Sequence, residues 1–169
     1  MNLLPLLIFP VLMLVAAGGD VARYRIPNWL CLTLAAAFPL AALAAGLPLS
    51  IIGAQLVAGA VALGLCAGLF WLRWMGGGDA KLIAVAVLWL GLPGLMDLIF
   101  VTALSGGVLA LMLIVMRSAR VRPMLPTGRA WLDKLASPGG PAPYGVAICA
   151  GALAAMPAAP VFAGLFASL

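Results

Sequence analysis

Apolar residues fall in six long runs, at about residues 3–18, 26–46, 51–74, 80–92, 94–116 and 144–165, and polar residues collect in the gaps between them. The runs are apolar on every face, unlike the single apolar stripe of an amphipathic surface helix. A helix needs about 20 residues to cross a hydrocarbon core roughly 30 Å thick. Most of the runs reach that length, the first lies near the lower limit, and 80–92 is short. The pattern predicts an all-α, polytopic membrane protein with about six transmembrane helices.

The positions of the charges turn this pattern into a topology. Arg23 and Arg25 lie between the first two runs, Arg73 and Lys81 bracket the gap between the third and fourth, and Arg117, Arg120, Arg122, Arg129 and Lys134 lie between the fifth and sixth. The connections at 47–50 and 91–93 carry no positive charge. In an up-and-down arrangement all nine Lys and Arg therefore fall on one side. The positive-inside rule makes that side cytoplasmic and puts both the N-terminus and the C-terminus outside. Residues 1–19 lack the positive n-region of a signal peptide, so they are read as a retained first span. The longest polar stretch, 117–143, is expected to be a cytoplasmic loop whose short amphipathic piece, 130–135, suits a membrane surface. No internal repeat is evident, and residues 1–169 are expected to form a single membrane-embedded domain.

Composition agrees and removes several chemistries. Of the 169 residues 66% are hydrophobic and 8% charged, against about 25% charged in a soluble domain. The positive net charge therefore belongs to loop ends and implies no nucleic-acid partner. Cys31, Cys66 and Cys149 stand singly in apolar segments, so no disulfide framework or zinc site is expected. With no His and no Glu, a Ser/His/Asp triad, a Cys/His dyad and a His-based metal centre cannot be built from this chain. Neither a metal nor a cofactor is expected.

Four aspartates remain, and a carboxylate in a membrane span calls for an explanation. Asp133 falls in the long loop, and Asp97 near the outer start of the fifth span. Asp20 ends the first span in Gly18-Gly19-Asp20, and Asp79 follows Gly76-Gly77-Gly78. Both fall at the cytoplasmic ends of their helices and can meet in one site. The glycine run can take φ > 0 and admit another backbone closely. From Asp79 to Leu92 there are 14 residues, about 21 Å of helix. Irregular backbone at membrane depth is tolerated where it lines protein or a water-filled cavity. Two adjacent carboxyls that share a proton can activate water and protonate a leaving group. On spacing alone, ion pairs of Asp20 with Arg23 and of Asp79 with Lys81 are an equal alternative.

The sequence resembles a known family at these residues. Gly76-Gly77-Gly78-Asp79 matches the GxGD motif of aspartyl proteases, and Asp79-Ala80-Lys81-Leu82 looks like the GxGD-x-KL form of the type IV prepilin peptidases. Asp20 followed by Arg25-Ile26-Pro27-Asn28 looks like that family's first catalytic segment, and Pro143-Tyr144-Gly145 like the segment entering its last helix. The resemblance implies Asp20 and Asp79 as a catalytic dyad that removes a short basic leader from prepilins at the cytoplasmic face of the bacterial inner membrane. It implies site-shaping or substrate-binding roles for Gly76, Gly78, Lys81, Arg25, Pro27, Asn28, Pro143, Tyr144 and Gly145.

The chain lacks the Cys-rich insertion found between the first two helices of the two-activity members, so N-methylation is not expected. Its short form resembles the peptidases of tight-adherence pili, which makes small Flp-like pilins the expected substrates, with an archaeal preflagellin-type substrate as the variant reading. Two other classes share the same aspartates: a small proton- or cation-coupled transporter, and a non-catalytic pilus or secretion assembly protein.

Overall fold

The computed structural model describes residues 4–118, 120–124, 128 and 130–166. Leu3, Arg129 and the two chain ends, on which parts of the expected topology rest, lie outside the described residues. The principal helices are α1 (Leu4–Arg23), α2 (Asn28–Ala44), α3 (Leu49–Trp71), α4 (Gly77–Leu90), α5 (Leu95–Arg117), α6 (Ala130–Leu135) and α7 (Gly145–Ala154). No strand occurs among the described residues. Among the described residues two helices, α3 and α5, are long and apolar enough to cross a membrane.

The short fourth helix is the centre of the molecule. Ala80, Leu82 and every residue from Ala84 to Leu90 are buried, so its apolar surface faces protein on all sides. At its far end Trp89 stacks on Phe9, with ring centroids 5.2 Å apart, and meets Phe38 edge-on and Phe162 face-on. Its indole N–H is satisfied by the Leu34 carbonyl of α2 at 2.9 Å, as a buried Trp requires. Gln55 of α3 donates to the Trp89 carbonyl at 3.3 Å. One turn away, α3 and α4 come so close that a Cβ on Gly59 would stand 2.9 Å from Cβ of Leu88. A small residue at that crossing is what lets two helices pack at short distance without a hydrophobic driving force. The remaining tight pairs are α5 with α7 and α1 with α7, so α3 and α5 flank the centre and lean on α4 and α7 rather than on each other.

Two elements depart from the apolar pattern. The first helix does not stop at the end of its apolar run: it continues to Arg23, which places Asp20 inside the last turn. The last run, expected as one continuous span over 144–165, breaks after Ala154 into two 3₁₀ turns, Met156–Ala158 and Pro160–Phe162, and a final turn, Ala163–Phe166. Pro157 and Pro160 explain the break, since each removes a helical N–H donor and its ring clashes with the preceding turn. The detour returns Val161 and Phe162 to the core, where both are buried.

Candidate active site

Asp20 reaches the site from the C-terminal turn of α1, and Asp79 from the first turn of α4. A carboxylate at a helix C-terminus faces the negative end of the helix dipole. Asp20 is 7% exposed, and its compensation comes from another helix. The backbone N–H of Gly145, the first residue of α7, donates to Asp20 Oδ2 at 2.7 Å. That amide belongs to the first helical turn and has no acceptor within its own helix. The site tolerates no side chain there: a Cβ on Gly145 would stand 2.9 Å from the same oxygen.

Asp79 uses the start of its own helix. It is the third residue of α4 and interacts with the backbone of Gly76, the N-cap, the arrangement by which an acidic residue at the third position closes a helix start. A Cβ on Gly76 would lie 2.9 Å from Asp79 Oδ2. The expected use of the glycine run is corrected here: none of Gly76, Gly77 and Gly78 adopts positive φ, and Gly76 sits at φ −72°. Their missing side chains make room instead. A Cβ on Gly77 would press at 3.2 Å on the Phe70 ring, and one on Gly78 at 3.2 Å on Ile26.

Both carboxyl groups open into one cleft of about 1310 Å³. Arg25, Pro27, Asn28, Gly76, Gly78 and Tyr144 line the same cleft. Pro143 is buried at the start of α7, its carbonyl accepting the Val146 N–H at 3.3 Å, and Gly145 stands behind Asp20. Lys81 opens elsewhere. Its ammonium donates to Asn28 Oδ1 at 2.8 Å and faces a separate apolar groove of about 450 Å³ along α2, α3 and α4. Asn28 lines both cavities, so the Lys81–Asn28 bond joins the starts of α4 and α2 beside the site.

Several cleft residues carried no signal of their own in the sequence. Tyr24 and Arg73 both line the cleft and hold positive φ, 53° and 60°, the two non-glycine residues that do so among those described. Arg73 occupies the left-handed position at the end of α3: its N–H bonds the Phe70 carbonyl, and the Trp74 N–H bonds that of Leu69. This is a Schellman ending with arginine where glycine is usual. Burial raises the Tyr24 phenol above its ordinary range, with Arg117 opposing and Asp20 adding to it. The Lys134 ammonium of α6 sits 5.0 Å over the Tyr24 ring. Arg117 binds the carbonyls of Leu135 at 2.9 Å and Pro141 at 2.8 Å. The loop after α5 is thereby drawn back over the cleft, where Pro141 and Ala142 form part of the wall.

A family model described as the type IV leader peptidase family matches residues 7–111. The matched stretch holds both cleft aspartates and the glycine run, and it stops short of α6 and α7. Comparison with curated proteins and with solved structures gives no match.

Proposed function

We propose, for a chain that belongs to the type IV leader peptidase family, that Asp20 and Asp79 are the two catalytic carboxyls of an aspartic endopeptidase. The observation that carries this reading is their convergence, from separate helices, on one cleft. Each is seated at a helix N-terminus: Asp79 at its own, Asp20 at that of α7. Two ionised carboxylates sharing a partly buried cleft would repel, so the pair holds one proton between them and titrates as a unit. The ionised member removes a proton from water, whose oxygen attacks the scissile carbonyl carbon. The protonated member donates to the carbonyl oxygen. Collapse of the tetrahedral intermediate breaks the C–N bond: the departing nitrogen takes the proton gained from water by the first carboxyl, and a hydroxyl of the intermediate returns its proton to the second. The products are a leader ending in a carboxylate and a mature chain with a free amine.

The remaining parts of the reading rest on the charge pattern for topology and on the resemblance to the family's short forms for substrate and product. The chain is one membrane domain of about six spans, with both termini outside and the cleft opening to the cytoplasmic side of the inner membrane. Its substrates are small Flp-like prepilins with a short basic leader, and the product is not N-methylated. Arg25, Pro27, Asn28, Gly76, Gly78 and Tyr144 shape the cleft around the substrate, while Gly145 positions Asp20. The test is cleavage of a Flp-type prepilin in membranes by the unaltered protein and by Asp20→Asn and Asp79→Asn, at matched expression. Cleavage lost in both variants supports the dyad; cleavage retained by either one removes that residue from the chemistry.

A further inference from the structure

Lys81 is an exposed cation with most of its hydrogen-bonding capacity unused. An ammonium carries three donors. One goes to Asn28 Oδ1, and among the described residues no carboxylate pairs with it. From it runs the apolar groove of about 450 Å³ between α2, α3 and α4. The groove's rims are Leu32, Leu56 and Leu63, which are 68%, 46% and 46% exposed. Its floor is kept low by Gly59, at the close helix crossing, and by Ala84. From Lys81 to Leu88 along α4 the groove extends about 10 Å at 1.5 Å per residue. Trp29, beside Asn28, and Trp74, just after α3, are 57% and 78% exposed, and exposed tryptophans settle at the headgroup level of a bilayer. A cation without an anionic partner therefore stands at headgroup depth, at the mouth of an apolar slot.

The structure assigns this groove to an anionic phospholipid of the cytoplasmic leaflet, with one acyl chain in the slot and the phosphate on the Lys81 ammonium. Charge complementarity selects that occupant. A soluble anion would meet the ammonium and leave the slot bare, while a neutral apolar chain would fill the slot and leave the ammonium bare. A lipid of net negative charge meets both. Basic pockets between helices on the cytoplasmic side hold anionic headgroups for this reason, and all nine Lys and Arg fall on that side of the proposed topology. The groove is separate from the aspartate cleft but joined to it mechanically. Asn28 lines both cavities, and its bond to Lys81 ties the start of α2 to the start of α4, two residues after Asp79. A bound headgroup thus steadies the helix turn that carries Asp79. On the peptidase reading, on which this last step alone rests, the lipid is an activator of cleavage.

The probes are radiolabelled phosphatidylglycerol and phosphatidylcholine with the same acyl chains, retained by the full chain in mixed micelles. The anionic lipid is expected to bind about fivefold more tightly, the worth of one basic residue beside an anionic headgroup. Lys81→Gln, which removes the charge but keeps a donor for Asn28, is expected to bring the two lipids level, and Lys81→Arg to keep the difference. High salt, which screens an exposed ammonium, is expected to erase most of the preference in the unaltered protein, so the charge is tested even if Lys81→Gln does not fold. Ala60→Phe, which fills the groove, is expected to weaken retention of both lipids. Ala67→Phe, exposed on α3 outside the groove, is expected to change neither. Equal retention of the two lipids by the unaltered protein, or a preference that survives both Lys81→Gln and high salt, would overturn the site. So would glycerol phosphate binding as tightly as the whole lipid, or a dimer of this chain that Ala60→Phe dissociates. Precursor cleavage in phosphatidylcholine vesicles is expected to rise several-fold on adding phosphatidylglycerol, and not to rise in Ala60→Phe. Binding without that rise would overturn the activator role alone. Absence of cleavage by the unaltered protein in every vesicle would remove the peptidase reading, and the binding measurements would still decide the lipid site.

Discussion

The Gly145 amide donates a 2.7 Å hydrogen bond to Oδ2 of Asp20, across 125 residues of chain. A methyl group on Gly145 would lie 2.9 Å from that oxygen and 3.1 Å from the Asp20 Cβ, so the carboxyl would have to leave its position. Gly145→Ala is expected to lower prepilin cleavage at least about tenfold, because displacing a catalytic group by about 1 Å can cost a hundredfold. Insertion and amount of protein should be unchanged. Gly107→Ala, at a glycine with open space around it, is the matched control and is expected to cleave normally. Initial rates in membranes, normalised to protein level, check both.

Removal of either carboxyl is expected to be far more damaging. Asp20→Asn and Asp79→Asn should each reduce cleavage by at least about a hundredfold, the lower range for losing a general acid or base. The double variant should be no worse than the single ones, since the pair acts as a unit. Additive losses in the double variant would speak against a shared reaction step.

The hydrogen bond between Lys81 and Asn28 predicts a coupling without direct participation in bond breaking. Lys81→Ala and Asn28→Ala are each expected to slow cleavage several-fold. Their effects should be non-additive, because contacting residues in one hydrogen bond show interaction energies of about 0.5–3 kcal/mol in a double-mutant cycle. Measured kcat/KM for the four proteins of the cycle decides it.

Close helix crossing at Gly59 predicts a structural effect with no chemistry in it. A side chain there meets Leu88 at 2.9 Å, and Gly59→Val is expected to destabilise the protein by about 1–3 kcal/mol through overpacking. Gly64→Ala, on the same helix with open space around it, should stay within about 0.5 kcal/mol. Thermal unfolding in detergent reads both.

Arg73 offers the reverse case. It holds φ 60° at the end of α3, a conformation that costs a side-chain-bearing residue about 1–2 kcal/mol. Arg73→Gly should therefore raise thermal stability. Reduced cleavage in this stabilised variant, seen in membranes, would show that the guanidinium is kept at the cleft for its charge.

Much of this arrangement was legible in the chain, and the parts that were not have physical reasons. That Asp20 and Asp79 can meet could be read from charge placement, since a costly carboxylate at a helix end stands out among apolar runs, and the motif resemblance set a shared site above separate ion pairs. The short fourth helix could be read from its length, and its burial explains how 14 residues suffice. Equal weight for ion pairs with Arg23 and Lys81 was reasonable on spacing. Yet Lys81 binds Asn28, and Asp20 takes a backbone donor instead. A backbone N–H leaves no mark in a sequence, which is why Gly145 was indicated by motif resemblance and not by chemistry. Hydrophobicity masked the break in the last helix: the run from 144 to 165 stays apolar throughout, and only Pro157 and Pro160 interrupt it. Tyr24 and Arg73 are cleft residues because of backbone conformations that residue identity does not announce.

The wrapping of α4 by its neighbours also constrains how the protein is made. A 14-residue helix buried against other helices from Ala84 to Leu90 has little surface with which to partition into lipid by itself. It gains its contacts first from α3, through Gln55 and the Gly59 crossing, and these precede it in synthesis. Phe162, which closes the far side of Trp89, is made only after α1 to α7. Asp79 rides on this helix, so in the nascent chain it sits in an unsealed segment until Phe162 has been made. Closure of the core and assembly of the cleft are thereby linked: the stretch that completes the packing around Trp89 also brings Gly145 to Asp20.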